Sequence, residues 1–293
     1  VPYSIPLSSY RIDINGVYTK NDEDAVRWLV TNSIDTVPVY SDRDAYVVNY
    51  EKISEDHVAH MEETGLNPFM AEEHWLASEQ ITEHLVRRYG VLGTRVLDVG
   101  CGLGRLLSRF PDFDRYGMDI SPAYLQYAQQ AGINVCLARV EDMPYADEFF
   151  DLVICTDVLE HVFDLYGACR QLLRVIRPGG ILIVRTPYRE NLATYLSADL
   201  PYDYVHVRNF DEDSLRLLFE KIHGSQVVEV VKGPLLMPWM SLRCSLPVPG
   251  LTRLFRIVAR VTQLAGKPFH EAFLRWAFDP SEINVVVRLK ANG

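Results

Sequence analysis

The 293-residue sequence lacks the cysteine patterns of disulfide-rich and zinc-binding proteins. Its five cysteines form no CxxC pair, and three of them lie within apolar runs, where thiols act as small core residues. No apolar stretch reaches the roughly 20 residues that a membrane-spanning helix needs, and the N-terminus has no basic region followed by an apolar one. These absences predict a reduced, cytoplasmic protein.

The sequence also lacks an excess of basic residues. Its 29 Lys and Arg are outnumbered by 39 Asp and Glu, which gives a formal net charge of −10, whereas nucleic-acid binding generally depends on a basic surface. We therefore expect no nucleic-acid partner. Apolar residues make up 48% and charged residues 23%, the balance of a globular protein with a sizeable core. No sequence pattern indicates an oligomeric state.

Short apolar runs alternate with amphipathic stretches from residue 95 onward. This alternation is typical of βαβ units, and it predicts an α/β fold with a mostly parallel sheet. Residues 68–89 carry apolar side chains at helical spacing, which predicts a helix that leads into the sheet. The seven predicted strands lie at residues 95–99, 115–119, 134–138, 150–156, 180–186, 225–232 and 283–290.

The pattern divides the chain into four parts. Residues 1–60 form an N-terminal extension, whose alternating runs SYRIDING and TVPVYSDRDAYVV predict short strands and turns. Residues 61–233 form the core, residues 234–282 an insertion, and residues 283–293 the final core strand. The alternation of strands and helices breaks at the insertion, which carries prolines and aromatic clusters.

The insertion contains a predicted amphipathic helix at residues 251–265. Its apolar residues recur at helical spacing, while Arg253, Arg256 and Arg260 point elsewhere. One interpretation is a helix that packs on the domain and leaves its arginines in solvent. The others are a lid over an acceptor site and a helix that lies on a membrane surface. The position between the last two strands favours the lid over the membrane helix.

The strongest local motif is VLDVGCGLGRLL, in which a strand runs into three glycines and then a helix. Gly100, Gly102 and Gly104 allow the backbone to turn sharply and to approach a ligand closely. The dinucleotide fingerprint has GxGxxG spacing, but here the spacing is GxGxG, and Arg105 occupies the sixth position. This spacing suits a nucleoside without phosphates better, although a structural turn without a ligand is the alternative.

Asp119 closes the second predicted strand. A carboxylate at this position can accept both ribose hydroxyls of an adenosyl cofactor. The alternative is an aspartate that caps a solvated turn.

Three further segments follow in order, namely VEDMPYADEFFDLVICTDVLEHV, RPGGILIV and a terminal strand after an additional crossover. Together with the glycine-rich turn they resemble the class I S-adenosylmethionine-dependent methyltransferases, specifically the small-molecule branch of that family. The resemblance covers residues 70–233 and the final strand, but neither the first 60 residues nor the insertion. It implies a Rossmann-like, mostly parallel seven-stranded sheet with helices on both faces.

The resemblance also implies S-adenosylmethionine as the cofactor and assigns residues to it. The backbone of Gly100, Gly102 and Gly104 would cradle the methionine part. Asp98 would lie near the ammonium group, and Asp119 would hold the ribose.

The adenine contacts depart from the family pattern. Ile120 would pack on the adenine, but Arg139 stands where the family commonly has an aspartate for the adenine amino group. Val140 or Glu141 would then supply that contact. Thr156, at the end of the fourth strand, belongs to the same cofactor-binding set.

The motif TDVLEH follows the fourth strand, at the end that faces the transferred methyl in this fold. Asp157, Glu160 and His161 have i, i+3, i+4 spacing, so on a helical turn they would share one face. Such a group can hold a divalent ion, with magnesium or manganese favoured by the carboxylates, or it can position His161 as a general base. The alternative is packing in which Glu160 and His161 satisfy each other and the backbone.

His206 and Arg208 lie in the segment after the fifth strand. In methyltransferases of this family the corresponding loop lies over the acceptor, which makes His206 a second candidate base. A histidine in a surface loop is the alternative.

The resemblance implies an enzyme that transfers a methyl group from S-adenosylmethionine to a small-molecule acceptor, such as a natural product, a sugar or a lipid-like compound. Oxygen is the favoured acceptor atom, because a hydroxyl needs the base or metal that the histidines can supply. Two other classes remain open, a nucleotide-dependent oxidoreductase and a noncatalytic binding protein on the same scaffold. The former fits the GxGxG spacing poorly, and the intact glycines and Asp119 argue against the latter.

Overall fold

The computed structural model describes residues 10–12, 18–20, 44–197, 199–234, 241–242 and 251–290. Two short strands at the N-terminus, β1 (Tyr10–Ile12) and β2 (Tyr18–Lys20), pair antiparallel. Most of the remaining extension, including residues 36–43 of the predicted alternating run, lies outside the described residues.

A 20-residue helix, α1 (Ala45–Thr64), follows the N-terminal strands. The Asp44 side chain caps it by accepting the backbone N–H of Val47, and Gly65 ends it with a φ of 73°. The strand predicted through Val48 is therefore wrong from Ala45 onward. The run AYVV has the composition of a strand, but the aspartate cap that precedes it favours a helix. This helix also crosses the boundary between residues 60 and 61 that the sequence pattern placed between the extension and the core.

The second long helix, α2 (Glu72–Tyr89), confirms the helix predicted at residues 68–89, although it begins four residues later. Two acidic residues in its first turn and two arginines in its last complement the helix dipole.

The central sheet has seven strands, in the spatial order β5 (Asn134–Leu137), β4 (Asp114–Asp119), β3 (Arg95–Val99), β6 (Phe150–Thr156), β7 (Ile176–Pro187), β11 (Glu282–Arg288) and β8 (Gln226–Lys232). All are parallel except β11, which runs antiparallel to β7 and β8. This confirms the mostly parallel, seven-stranded Rossmann-like sheet. Two further short strands, β9 (Ser241–Leu242) and β10 (Phe278–Asp279), pair antiparallel outside this sheet.

Helices cover both faces of the sheet. Neighbouring strand residues point to opposite sides, so Val96 and Leu97 belong to different apolar clusters. One cluster takes its helical residues from α2 and α3 (Pro122–Gln130). The other takes them from α4 (Leu165–Arg174) and from α5 (Glu212–Arg216), which continues as a π turn. The expected two-faced arrangement is confirmed.

The described part of the insertion contains a short antiparallel strand pair, β9 with β10, and a helical part. The helical part comprises α6 (Leu251–Thr262), a 3₁₀ turn (Gln263–Ala265) and α7 (Lys267–Ala277), which confirms the helix predicted at residues 251–265. Its own small core is separate from the core of the sheet and includes Ala259 and Leu274. In the described part of the chain, no helix combines the length and the apolarity that crossing a bilayer requires.

Candidate active site

A cavity of about 1000 Å³ opens at the carboxyl ends of the parallel strands. The strand order reverses there, because the chain places β4 and β5 on one side of β3 and then returns to place β6 and β7 on the other. The lining comes from the glycine-rich turn, from the ends of β4, β6 and β7, from α1 and α2, and from the segment after β7. The sequence motifs therefore converge on one site.

The glycine-rich turn borders this cavity. Gly100, Gly102 and Gly104 have φ values of 75°, 51° and 74°, a left-handed region that favours glycine. A Cβ on Gly100 would overlap the Val158 side chain, and one on Gly104 would lie 2.6 Å from Ile133 Cδ1. A Cβ on Gly102 would meet no described atom within 4 Å. Two of the glycines thus permit close packing, whereas Gly102 leaves open space beside its backbone.

Asp119 connects the end of β4 to this turn. Its Oδ2 accepts the backbone N–H of Gly102 at 2.9 Å, and its Oδ1 accepts that of Ser121 at 2.9 Å. Burial raises the pKa of Asp119 to about 6, although these backbone hydrogen bonds act in the opposite direction. Asp119 is therefore a partly buried hydrogen-bond acceptor at the cavity wall and not a solvated turn residue.

Asp98 lies at the end of β3, where it also lines the cavity. It is 2% exposed, and its Oδ1 has no hydrogen-bond partner among the described residues. Burial raises the pKa of Asp98 to about 8. A buried carboxylate oxygen without a partner at the edge of a cavity fits a cationic or hydrogen-bonding ligand.

The segment after β5 forms a 3₁₀ turn, Val140–Asp142, beside the same cavity. Arg139, which replaces the family's usual aspartate, forms an ion pair of 2.6 Å with Asp44. Glu141 lies 3.7 Å from the Arg139 guanidinium, and burial raises the pKa of its carboxyl. Ile120 and Val140 also line the cavity. Arg139 thus joins this turn to the beginning of α1. It does not replace the hydrogen-bond acceptor that the family's aspartate would provide at this position.

The helical arrangement predicted for Asp157, Glu160 and His161 is wrong. Strand β6 ends at Thr156, Asp157 takes a left-handed φ of 56°, and residues 158–161 form a turn. Because the chain is not helical here, the i, i+3, i+4 spacing does not place the three side chains on one face. The Asp157 carboxylate instead pairs with Arg185, whose Nε lies 3.3 Å from Oδ1.

Glu160, His161 and His206 do come together. One candidate ligand atom from each lies within 4.8 Å of the others, and the two imidazole rings are 4.6 Å apart. Glu160 is 1% exposed, and neither carboxylate oxygen has a hydrogen-bond partner among the described residues. Burial raises the pKa of Glu160 well above its ordinary value. His206 replaces Asp157 in the group that the sequence predicted.

The hydrogen bonds of His161 define its tautomer. Its Nδ1 lies 2.7 Å from the Tyr50 hydroxyl and 3.0 Å from the carbonyl oxygen of Val205. The Tyr50 hydroxyl donates to the same carbonyl at 2.8 Å, so Nδ1 must carry the proton that it shares with these oxygens. Burial and the neighbouring His206 lower the pKa of His161 to about 4. The neutral ring therefore has an unprotonated Nε2.

His206 pairs with a carboxylate from the segment after β7. Its Nδ1 donates to Oε2 of Glu190, and the Tyr195 hydroxyl donates to Oε1 of Glu190 at 2.6 Å. Burial raises the pKa of Glu190, but the hydrogen bonds from His206 and Tyr195 outweigh that effect and leave the pKa below its ordinary value. This arrangement orients the His206 ring and leaves Nε2 available as a proton acceptor.

Several cavity residues were not predicted from the sequence. Tyr50 comes from α1, which carries none of the family's motifs, so no sequence signal pointed to it. Glu190 and Tyr195 lie in the segment after β7, Tyr195 within a 3₁₀ turn (Leu192–Leu196), and in that segment the sequence pointed only to His206. Arg185 did leave a signal, since it is a charged residue within the apolar run of β7.

Arg185 is the centre of a buried charge network. Besides Asp157, its guanidinium contacts Glu282 at 3.4 Å and donates to the Thr82 hydroxyl at 3.2 Å. His74 Nε2 lies 3.3 Å from the other oxygen of Glu282. Arg185 is 4% exposed, and the negative charges around it keep its pKa above the ordinary value despite burial. The network joins α2, β7 and β11 beneath the cavity.

The fold is Rossmann-like and has its cavity where the strand order reverses, and comparison with known proteins identifies the family. Residues 97–184 match the family described as a methyltransferase domain. A ubiquinone biosynthesis O-methyltransferase from Pseudomonas fluorescens is 36% identical over 130 residues, which cover 40% of this chain and 54% of that protein. A ubiquinone biosynthesis O-methyltransferase from Xanthomonas euvesicatoria is 32% identical over 177 residues, which cover 54% of this chain and 72% of that protein.

A solved structure shows the same fold over more of the chain. A SAM-dependent methyltransferase from Thermotoga maritima superimposes with a TM-score of 0.54 at 16% identity, covering 84% of this chain and all of that one. The chain belongs to the class I S-adenosylmethionine-dependent methyltransferases. It spans about half the length of curated relatives such as the Pseudomonas fluorescens protein.

Removing the cation at the centre of the buried network should destabilise the protein. We expect Arg185→Met to lower the free energy of unfolding by about 3–5 kcal/mol, because Asp157 and Glu282 would lose the charge that compensates them. Urea denaturation measures the change.

Arg177→Met is the matched control, because the Arg177 side chain is 60% exposed in its ion pair with Asp151. It should cost less than about 1 kcal/mol. If both substitutions lower the free energy of unfolding equally, the buried network does not contribute more to stability than an exposed ion pair.

Proposed function

We propose that the protein transfers a methyl group from S-adenosylmethionine to a hydroxyl oxygen of a small-molecule acceptor. The observation that carries this proposal is the His206–Glu190 pair, which lies in the same cavity as Asp119 and the glycine-rich turn. The ubiquinone biosynthesis O-methyltransferases among the relatives support an oxygen acceptor. A natural product, a sugar or a lipid-like compound remains the proposed acceptor class.

The residues of the cavity wall fit the cofactor. The open space beside Gly102 suits the methionine part, and the unpaired Oδ1 of Asp98 suits its ammonium group. Asp119 would accept the ribose hydroxyls, while Ile120 and Val140 would pack near the adenine. Gly100, Gly104, Glu141 and Thr156 complete the proposed cofactor-binding set. When bound, S-adenosylmethionine supplies an electrophilic methyl group on its sulfonium.

His206 is the proposed general base. A hydroxyl must lose its proton as the oxygen becomes methylated, and Nε2 of His206 is free to accept it. Glu190 would stabilise the resulting imidazolium through Nδ1, and Tyr195 holds Glu190 in place. His161, whose pKa is lowered to about 4, stays neutral and borders the same space, where its Nε2 can accept a hydrogen bond.

The insertion is proposed to shape the acceptor side of the cavity. Pro280, Ser281 and Glu282, which follow the insertion's last helix and strand, line the cavity. The proposed division is a core (residues 61–233 and 283–293), an acceptor-proximal insertion (residues 234–282) and an N-terminal extension (residues 1–60). Helix α1, which crosses the boundary between extension and core, also contributes to the cavity.

The first test concerns Asp119. We expect Asp119→Asn to weaken the binding of S-adenosylhomocysteine by about 10- to 100-fold at pH 8, because hydrogen bonds from the ribose to a carboxylate would be lost. For the native protein, affinity should fall as the pH decreases through about 6, where the Asp119 carboxyl takes up a proton. The substitution should remove this fall in affinity near pH 6. A second fall near pH 8, where the Asp98 carboxyl takes up a proton, should remain.

Titration calorimetry measures these affinities. Asp112→Asn, which alters an exposed carboxylate in the turn before β4, at the other end of the strand from Asp119, is the control and should leave these affinities unchanged. NAD serves as the competing ligand. Tighter binding of NAD than of S-adenosylhomocysteine would support a nucleotide-dependent oxidoreductase and contradict the proposal.

The second test concerns His206. We expect His206→Gln to lower kcat by about 10²- to 10⁴-fold, the usual contribution of general-base catalysis, with S-adenosylhomocysteine affinity changed less than about twofold. Turnover is measured as S-adenosylhomocysteine release with a panel of catechols, phenols and aliphatic alcohols.

His84→Gln, at an exposed position of α2, is the control and should leave both kcat and affinity unchanged. Native kcat in His206→Gln would disprove the assignment of the base. A native protein that binds the cofactor product but turns over no acceptor would favour the noncatalytic alternative.

The same residues also suit a divalent ion, which is the second candidate arrangement. Glu160, His161 and His206 are close enough to share one, and the carboxylate oxygens of Glu160 have no other partner among the described residues. Both imidazoles engage Nδ1 with a carbonyl or carboxylate, as histidines that bind metal through Nε2 commonly do. Two imidazoles with one carboxylate favour manganese or a softer metal over magnesium. Such an ion would supply a charge that acidifies a hydroxyl.

Chelation separates the two arrangements. If the base acts without a metal, activity should be unchanged after exhaustive chelation, and Glu160→Gln should retain it. If the ion is required, activity should be lost on chelation and restored by manganese, and Glu160→Gln should abolish both the activity and the uptake of manganese measured by elemental analysis. Asp157→Asn is the comparison variant. Because Asp157 pairs with Arg185, this substitution should leave manganese uptake unchanged whether or not the ion is required for activity.

A further inference from the structure

The insertion exposes an unusually apolar helix face. Leu254, Ile257, Val258 and Val261 of α6 are 54%, 51%, 38% and 59% exposed. Their i, i+3, i+4, i+7 spacing puts them on one side of the helix, which we call the apolar face. The helix packs against the insertion through a different side, where Ala259 and Thr262 are buried. Packing among the described residues therefore does not account for the apolar face.

The segment beyond α6 enlarges this surface. Leu264, in the 3₁₀ turn, is 89% exposed, and Phe269 and Trp276 of α7 are 58% and 67% exposed. Soluble monomers seldom expose so many large apolar side chains within one short segment unless the surface meets a partner.

The charged residues of α6 and α7 are mostly basic. Arg253 and Arg260 are exposed. Each directly precedes a residue of the apolar face, Leu254 or Val261, so the two arginines lie along the same edge of that face. Lys267 and Arg275 on α7 are also exposed. Glu271 is the only acidic residue among residues 251–277, although the whole chain carries a net charge of −10. The basic charge is thus concentrated where the apolar side chains are exposed.

We infer that α6 and α7 dock on the surface of an anionic lipid bilayer. The apolar face enters the boundary between headgroups and acyl chains, while Arg253, Arg260 and Arg275 contact lipid phosphates. Acidic residues elsewhere on the chain do not prevent this, because charges more than about 8 Å away are largely screened at physiological ionic strength. This inference does not depend on the proposed methyl transfer.

Docking would also bring the catalytic cavity to the bilayer. Only β10 separates α7 from Pro280 and Ser281, which line the cavity. A protein attached through α6 and α7 therefore holds one wall of its cavity a few residues from the lipid surface.

Co-sedimentation with vesicles tests the inference. The full chain should bind vesicles that contain phosphatidylglycerol and should bind pure phosphatidylcholine vesicles far less, with binding reduced by added salt. Ile257→Asp/Val261→Asp should reduce partitioning by about 10-fold or more, because two charges would replace inserted apolar groups. Arg253→Glu/Arg260→Glu should reduce binding to the anionic vesicles by about fivefold or more for each arginine.

Val91→Asp/Leu92→Asp is the matched control, since these residues are 74% and 82% exposed in the turn before β3, at the opposite edge of the sheet. It should bind like the native protein, and circular dichroism should show that all variants are folded. Absence of binding to anionic vesicles, equal binding to both vesicle types, or native binding by Ile257→Asp/Val261→Asp would each overturn the inference. If the native protein is a dimer that does not bind vesicles, and Ile257→Asp/Val261→Asp makes it monomeric, the apolar face is instead a contact between copies of the chain.

Discussion

The Asp119 carboxylate connects the parts of the molecule that build the cavity. It accepts one N–H from the glycine-rich turn after β3 and one from Ser121 at the start of α3. The Ser121 hydroxyl in turn donates to the hydroxyl of Ser54 on α1. One partly buried acid therefore ties two strand ends and the N-terminal helix together at the place where the strand order reverses. The backbone donors partly offset the cost of burying a carboxylate, so the same contacts that shape the site keep Asp119 able to ionise near neutral pH.

A second buried group, Arg185, determines which acids remain available in the cavity. It engages Asp157 and Glu282, and so removes both from the set of acids that could bind a ligand. Glu160 lies close by in sequence but has no such cation within hydrogen-bond distance, which leaves its carboxylate beside His161 and His206. The difference between a structural acid and a candidate functional acid within TDVLEH therefore comes from β7 and β11, two strands that are distant in sequence.

This dependence on distant strands explains what the sequence could and could not predict. Strands β3 and β6 were predicted to the residue, because buried parallel strands appear as short apolar runs and the turns after them carry glycine or acidic residues. The helical grouping of Asp157 with Glu160 failed, since one left-handed residue changes the direction of the chain and local spacing does not reveal it. Helix α1 was missed because AYVV has the composition of a strand, whereas the aspartate cap and the packing against α3 fix a helix.

Charge is distributed unevenly between the site and the insertion, and the two regions suit different ligands. The cavity is lined by more acids than arginines, and two of these acids, Asp119 and Glu190, have pKa values below neutral pH, so its field favours a cationic ligand such as a sulfonium and disfavours a second anion. The insertion has the opposite balance, with five basic residues against Glu271 among residues 251–277. An acceptor that reaches the cavity from an anionic surface would therefore leave its charged groups at the basic insertion and present a neutral hydroxyl to His206. This division of charge favours an amphipathic acceptor with an uncharged reacting end over a small polar anion.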